Sequence, residues 1–74
     1  MGKLPVLKPR EVCVILHALG FALVRQRGSH MQYRHDDGRA TTVPNHGGKD
    51  ISPILLRQIA RDIGMTADDL LSHR

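Results

Sequence analysis

The tripeptide Gly28-Ser29-His30 gathers the side chains best suited to chemistry in this chain of 74 residues. A glycine lets a phosphate or another backbone approach closely. Exposed amides and a serine hydroxyl donate to phosphate oxygens, and an imidazole moves a proton at neutral pH. Arg25 and Arg27 lie just upstream, and Arg34 follows on the same side of a two-residue repeat as His30. A second histidine, His46, stands in the glycine-containing run Asn45-His46-Gly47-Gly48-Lys49-Asp50, which also carries Lys49. By itself the tripeptide is a weak signal, because a Gly-Ser turn followed by a surface histidine is commonplace.

Five histidines raise the question of a metal. The triple His30, His35 and His46 has four and ten residues between its members, and no cysteine joins it. Beyond the turn pair Asp36 and Asp37, no carboxylate stands at a ligand-like spacing. Neither a metal nor any other cofactor is expected. Cys13 falls inside a helical pattern and reads as a small buried apolar residue rather than a nucleophile. Phe21 and Tyr33 are too few for the stacking platforms that read single-stranded bases.

Charge points to a polyanion. Lys and Arg number 11 against 7 Asp and Glu, a net of +4. The excess is uneven: up to Lys49 there are eight cations and three acids, and from Asp50 onward three cations and four acids. Most of the cations are arginines, whose planar guanidinium donates two parallel hydrogen bonds to a phosphate. Nucleic acid is the first partner to consider, with an ordinary basic surface as the plainer reading.

The elements that must position these groups fit one small domain, 1–74, with residues 1–7 expected to form a flexible arm. The run Leu4 to Leu7 is interrupted by Pro5 and flanked by Lys3 and Lys8, too short for a signal peptide or a membrane span. With a single cysteine, no disulfide closes within the chain, so a reducing, cytoplasmic setting is expected.

Val12, Ile15, Leu16 and Leu19 form the stripe of an amphipathic helix that opens at Pro9 and is capped by Gly20. Phe21 to Gln26, His30 to Arg34 and Ala40 to Val43 read as three strands of an antiparallel meander, with Asp36-Asp37-Gly38 turning the second into the third. If Met31, Tyr33 and Val43 face the helices, His30, Gln32 and Arg34 share the opposite face. Ser52 caps a second helix that opens on Pro53 and buries Leu55, Leu56, Ile59, Ala60 and Ile63. Thr66 with Asp69 marks a short third helix. The order αβββα with a short terminal helix implies an α+β, two-layer sandwich whose helices cover one face of a three-stranded sheet. The inside is expected to hold Val12, Ile15, Leu16, Leu19, Phe21, Leu55, Leu56, Ile59 and Ile63, with His30 outside.

Several of these segments together resemble the HicA toxin family. They are Leu19-Gly20-Phe21, Arg25-Gln26-Arg27-Gly28-Ser29-His30, Tyr33-Arg34-His35, Asp37-Gly38, Val43-Pro44-Asn45-His46-Gly47-Gly48 and Leu56-Arg57-Gln58-Ile59 to Gly64. The resemblance runs from about Lys8 to Leu71 in the family's order and spacing. Ser52-Pro53 departs from the Gly or Lys often found before the last long helix. The resemblance implies a fold like that of a double-stranded-RNA-binding domain and an mRNA interferase silenced by a HicB-type antitoxin. It also places the catalytic histidine, which follows the Gly-Ser pair, on His30.

On that reading the protein is a metal-independent endoribonuclease, monomeric when free of antitoxin. Arg25, Arg27, Gly28, Ser29, Arg34, His46 and Lys49 are its expected RNA contacts. RNA carries its own nucleophile in the 2′-hydroxyl, so the protein must supply a base, an acid and positive charge on the phosphate. His46 is the best second proton-transfer group, although bracing the Pro44 turn would serve as well to explain it. Two other classes compete: a non-catalytic double-stranded-RNA-binding module, and an interaction domain that docks an acidic protein on its basic face. The apolar start Ser52-Pro53-Ile54-Leu55-Leu56 argues against the first of these, which would need lysines there.

Overall fold

The computed structural model describes residues 4–74. Helix α1 (Pro9–Ala18) leads into strands β1 (Ala22–Arg27), β2 (His30–Arg34) and β3 (Ala40–Pro44), followed by helices α2 (Pro53–Asp62) and α3 (Ala67–Leu71). The strands form one antiparallel sheet in the order β1-β2-β3. On β2, Met31 and Tyr33 are buried while His30, Gln32 and Arg34 are exposed; on β3, Thr41 and Val43 are buried while Ala40 and Thr42 are exposed. One face of the sheet therefore meets the helices and the other is open to solvent, as the alternation of residue types requires.

Local chemistry sets the helix ends. Pro9 occupies the first turn of α1, where its missing N–H is no loss. The Lys8 amide donates to Glu11 Oε1 at 3.1 Å, and this bond is the main reason the Glu11 carboxyl titrates below its ordinary value. At the other end Gly20 takes a φ of +92°. Its N–H donates to the His17 carbonyl and that of Phe21 to the Leu16 carbonyl, the paired bonds of a Schellman motif. The turn brings His35 so close that a Cβ on residue 20 would lie 3.0 Å from His35 Nε2. Helix α2 ends in the same pair of bonds, from Gly64 to Arg61 and from Met65 to Ala60. Ser52 Oγ accepts from the Leu55 amide and Thr66 Oγ1 from that of Asp69, as caps do.

The core holds Val12, Ile15, Leu16, Phe21, Leu56, Ile59 and Ile63, with Met31, Tyr33 and Val43 contributed by the sheet. Leu19 and Leu55 pack only partly against it. Three residues outside the expected set complete it: Leu7, Ile51 and Leu70, each no more than 1% exposed. Of the expected arm, residues 1–3 lie outside the described residues, whereas Leu7, at its end, is a core residue. Leu7 forms a bridge with Ile51, whose N–H donates to the Leu7 carbonyl at 2.7 Å. Strand β1 begins at Ala22 because Phe21 is taken up in the Schellman turn, and all six of its residues are exposed.

Two polar ties hold the layers in register. The buried Thr41 donates through Oγ1 to Asp62 Oδ2 at 2.9 Å, joining β3 to α2. Arg39 reaches from the β2–β3 turn to donate to the Ile63 carbonyl at 2.7 Å. Its guanidinium lies 5.2 Å from the centre of the Phe21 ring and donates to Asp37 Oδ2. Bonds from Arg39, the backbone one first, hold the Asp37 carboxyl below the usual carboxylate range. Hydrogen bonds to charged groups contribute roughly 1.5–3 kcal/mol each, so Arg39→Ala is expected to lower unfolding stability by about 2 kcal/mol. The shift should appear in the urea midpoint with an unchanged slope; an unchanged midpoint would show that the turn stands without Arg39.

Candidate active site

The site begins at the β1–β2 hairpin. Arg27 pairs with His30 across the two-residue loop Gly28-Ser29. Gly28 has a φ of +60° and no non-glycine residue among the described residues has a positive φ, so the left-handed step falls on the first loop residue alone. That is the pattern of a type II′ turn, whose twist matches that of the flanking strands. A side chain at residue 28 would be strained by backbone conformation, although nothing lies within 4 Å of the Cβ position.

The hairpin register decides where the arginines point, and a bulge ends it. Leu23 pairs with Tyr33 and Arg25 with Gln32, leaving Val24 as an extra residue in β1. Residues directly paired across strands share a face. Leu23 thus goes with the inward Tyr33, while Arg25 goes with the outward Gln32 and Arg27 with the outward His30. The two-residue turn sets the face of both arginines, and the bulge is what turns Leu23 to the other side; in an unbroken strand Leu23, Arg25 and Arg27 would all share the face of His30. The two arginines stand about 7 Å apart along the strand. Arg34 is on this face too, but four residues from His30 on a strand rising about 3.3 Å per residue, which puts it roughly 13 Å away.

His46 arrives from the loop after β3. His30 pairs with Pro44, and the next amide, that of Asn45, donates to the Ser29 carbonyl at 2.6 Å. Asn45 Oδ1 accepts from the Gly48 amide at 3.0 Å, and the Lys49 amide donates to the His46 carbonyl at 3.1 Å. So closed, the loop sets His46 Nε2 3.5 Å from Ser29 Oγ and its ring edge-on to that of His30, centres 5.9 Å apart. Ser29 is half-buried, and both histidines are exposed. Lys49 is exposed in the same loop. Asn45, which anchors the loop to the hairpin, was not among the expected site residues; its signal is an Asn three residues before a glycine amide, the makings of a side-chain-closed turn.

The remaining titratable candidates stand elsewhere. His35 packs against Phe21, ring centres 5.1 Å apart, and accepts through Nδ1 from the Asp37 amide, so it belongs to the β2–β3 turn and not with His30 and His46. Tyr33 faces the core, where burial and then its bond with Cys13 push the phenol well above its ordinary value. It is therefore unsuited to proton transfer near neutrality. Cys13 is half-buried and packs beside the core. Among the described residues no three His, Cys, Asp or Glu side chains gather as metal ligands, and no helix is long and apolar enough to cross a membrane.

These features define a small α+β protein with an open, arginine-bearing sheet face and a serine with two histidines at one end of it. A family model described as "HicA toxin of bacterial toxin-antitoxin" matches residues 9–65, from the first turn of α1 through the cap of α2. The chain belongs to the HicA toxin family. All of the candidate site residues lie within the matched span. No curated protein matches the chain.

Proposed function

We propose that this protein is the toxin of a type II toxin-antitoxin system and cleaves mRNA as a metal-independent endoribonuclease, with His30 as the catalytic residue. The observation that carries the reading is the meeting of His30 with Ser29 and His46 at the exposed end of a face that also bears Arg25 and Arg27. An imidazole can move the 2′-hydroxyl proton unaided. Arg25, Arg27 and Lys49 neutralise the phosphates beside the cleaved one, Arg34 meets the strand further along, and the Gly28 and Ser29 turn lets the backbone of RNA approach. Requirement for the 2′-hydroxyl accounts for a preference for RNA over DNA.

Membership of a toxin family implies a partner that silences the toxin, and the surface suits a HicB-type antitoxin. Leu23 and Val24 are 42% and 59% exposed at the free edge of the sheet, next to Arg25 and Arg27. A protein presenting acidic groups to this face would cover the cations and the histidines together. Free of it the toxin is a monomer in the cytoplasm. A non-catalytic double-stranded-RNA module fits less well, because α2 opens on apolar residues, with Ile54 79% exposed.

The test is purified protein incubated with an intact transcript in EDTA. Fragments should form in chelator. Four cations on phosphates of a single strand imply a salt slope of about −3, so binding should weaken roughly fiftyfold between 50 and 200 mM salt. Cleavage that needs an added divalent ion would remove the metal-independent mechanism, and affinity indifferent to salt would remove the basic face as the docking surface.

A further inference from the structure

We infer that His46 is the general acid of the cleavage, positioned by Ser29, and that the products end in a 2′,3′-cyclic phosphate and a 5′-hydroxyl. This inference rests on the ribonuclease reading above. It goes further in dividing the proton transfers between two named rings and in fixing the chemistry of the cut ends.

Geometry supplies the division. A proton-transfer group must come within about 2.6–3.2 Å of the oxygen it serves. Two rings with centres 5.9 Å apart, edge to face, can each reach one of the two ester oxygens of a single phosphodiester. Their surroundings differ. His46 Nε2 faces Ser29 Oγ at 3.5 Å, a long contact of the kind that tightens when substrate binds. A hydroxyl oxygen has two lone pairs and accepts readily from an imidazolium N–H. In the cationic form that the proposal requires, one N–H of His46 is directed at Ser29 Oγ and the other is left for the departing oxygen. The His30 ring makes no hydrogen bond among the described residues, which leaves a nitrogen lone pair free to take a proton.

The loop is also held for this task. The Asn45 amide on the Ser29 carbonyl ties the chain just before His46 to the hairpin just before His30. The two rings therefore keep a common frame, although one stands on β2 and the other in the loop after β3. Such fixed placement is what proton transfer between positioned groups needs.

The step balances without a further reactant. His30 takes the proton of the 2′-hydroxyl as O2′ forms its bond to phosphorus. The P–O5′ bond breaks, its electron pair leaves on O5′, and O5′ takes the proton of His46. One strand then ends in the five-membered cyclic phosphate, the other in the free 5′-hydroxyl. Both rings are exposed and exchange protons with solvent before the next turnover.

The experiment uses the full chain and an oligoribonucleotide carrying its strongest mapped cleavage site, made with either oxygen or sulfur at the bridging 5′ position. A thiolate leaves without being protonated, so the sulfur substrate does not need the acid. Wild type should cut both and yield cyclic phosphate ends. His46→Ala should be slowed at least roughly a hundredfold on oxygen and return to within about tenfold of wild type on sulfur. His30→Ala should stay slow on both. Ser29→Ala should lose several-fold in kcat with KM little changed, and sulfur should erase the loss. Circular dichroism of each variant checks the fold. If His46→Ala is equally slow on both substrates, or as fast as wild type on oxygen, His46 is not the acid; linear 3′-phosphate ends formed at once would remove the cyclising step. Wild type that cuts no transcript, so that no cleavage site can be mapped, would overturn the ribonuclease reading itself.

Discussion

His30→Ala is expected to lower RNA cleavage at least roughly a hundredfold while leaving RNA binding and folding nearly intact. General acid or base catalysis typically contributes 10²- to 10⁴-fold in rate, and removing the imidazole forfeits that factor. Binding should persist because the affinity for a polyanion comes from the cations, none of which is touched. Folding should persist because His30 is exposed at the end of β2 and pairs through backbone that alanine retains. An exposed substitution of this kind shifts stability by no more than about 0.5 kcal/mol. The measurements are cleavage of a labelled transcript, its retention in a filter assay, and a urea melt of the variant. Expression of the variant should no longer arrest growth. A wild-type cleavage rate would show that His30 moves no proton, and an unfolded variant would make it structural.

Leu7→Ala is expected to destabilise the protein by about 3 kcal/mol, within the 2–5 kcal/mol typical of truncating a buried leucine. The side chain is fully buried in the core, although it precedes the first helix and follows a segment that looks like a tail. Its carbonyl accepts from the Ile51 amide, and alanine keeps that bond, so the loss isolates packing. A protein of this size has only about 4–11 kcal/mol to lose at ordinary stabilities per residue. The urea midpoint should therefore fall by a large fraction at constant slope. Val6→Ala is the control: Val6 is 55% exposed, and its loss should stay within about 0.5 kcal/mol. If the two variants melt alike, Leu7 belongs to the arm and not to the core.

The contrast between Val6 and Leu7 also marks where the sequence stops being informative. Hydrophobic periodicity is a property of neighbours along the chain, so it finds α1, α2 and the alternation of β2. Turn chemistry is equally local, and Gly20, Gly28 and Ser52 sit where the caps and the hairpin are observed. Leu7, Ile51 and Leu70 carry no such pattern. They are core residues because segments distant in sequence converge on them, as the bridge from Leu7 to Ile51 joins chain segments that have α1 and all three strands between them in sequence. Leu19 and Leu55 show the converse, on the helical stripe by spacing yet only partly covered.

For the candidate site the division is similar. Residue types alone mark Gly28-Ser29-His30 only weakly, the resemblance to the HicA family puts the catalytic expectation on His30, and alternation alone puts His30 on the open face of β2. Two further facts come only from tertiary structure. The hairpin register puts Arg25 and Arg27 on the face of His30 and the bulge at Val24 turns Leu23 to the opposite side, because one extra residue inverts the alternation beyond it in a structure of period two. The joining of His46 to Ser29 and His30 depends on β3 returning antiparallel beside β2 and on the Asn45 amide reaching the Ser29 carbonyl. The glycine-containing run marks His46 over His35 in the sequence, but that His35 packs against Phe21 and His46 meets Ser29 is not read from it. What separates them is strand pairing, a long-range interaction whose register brings chain positions 17 apart within hydrogen-bonding distance.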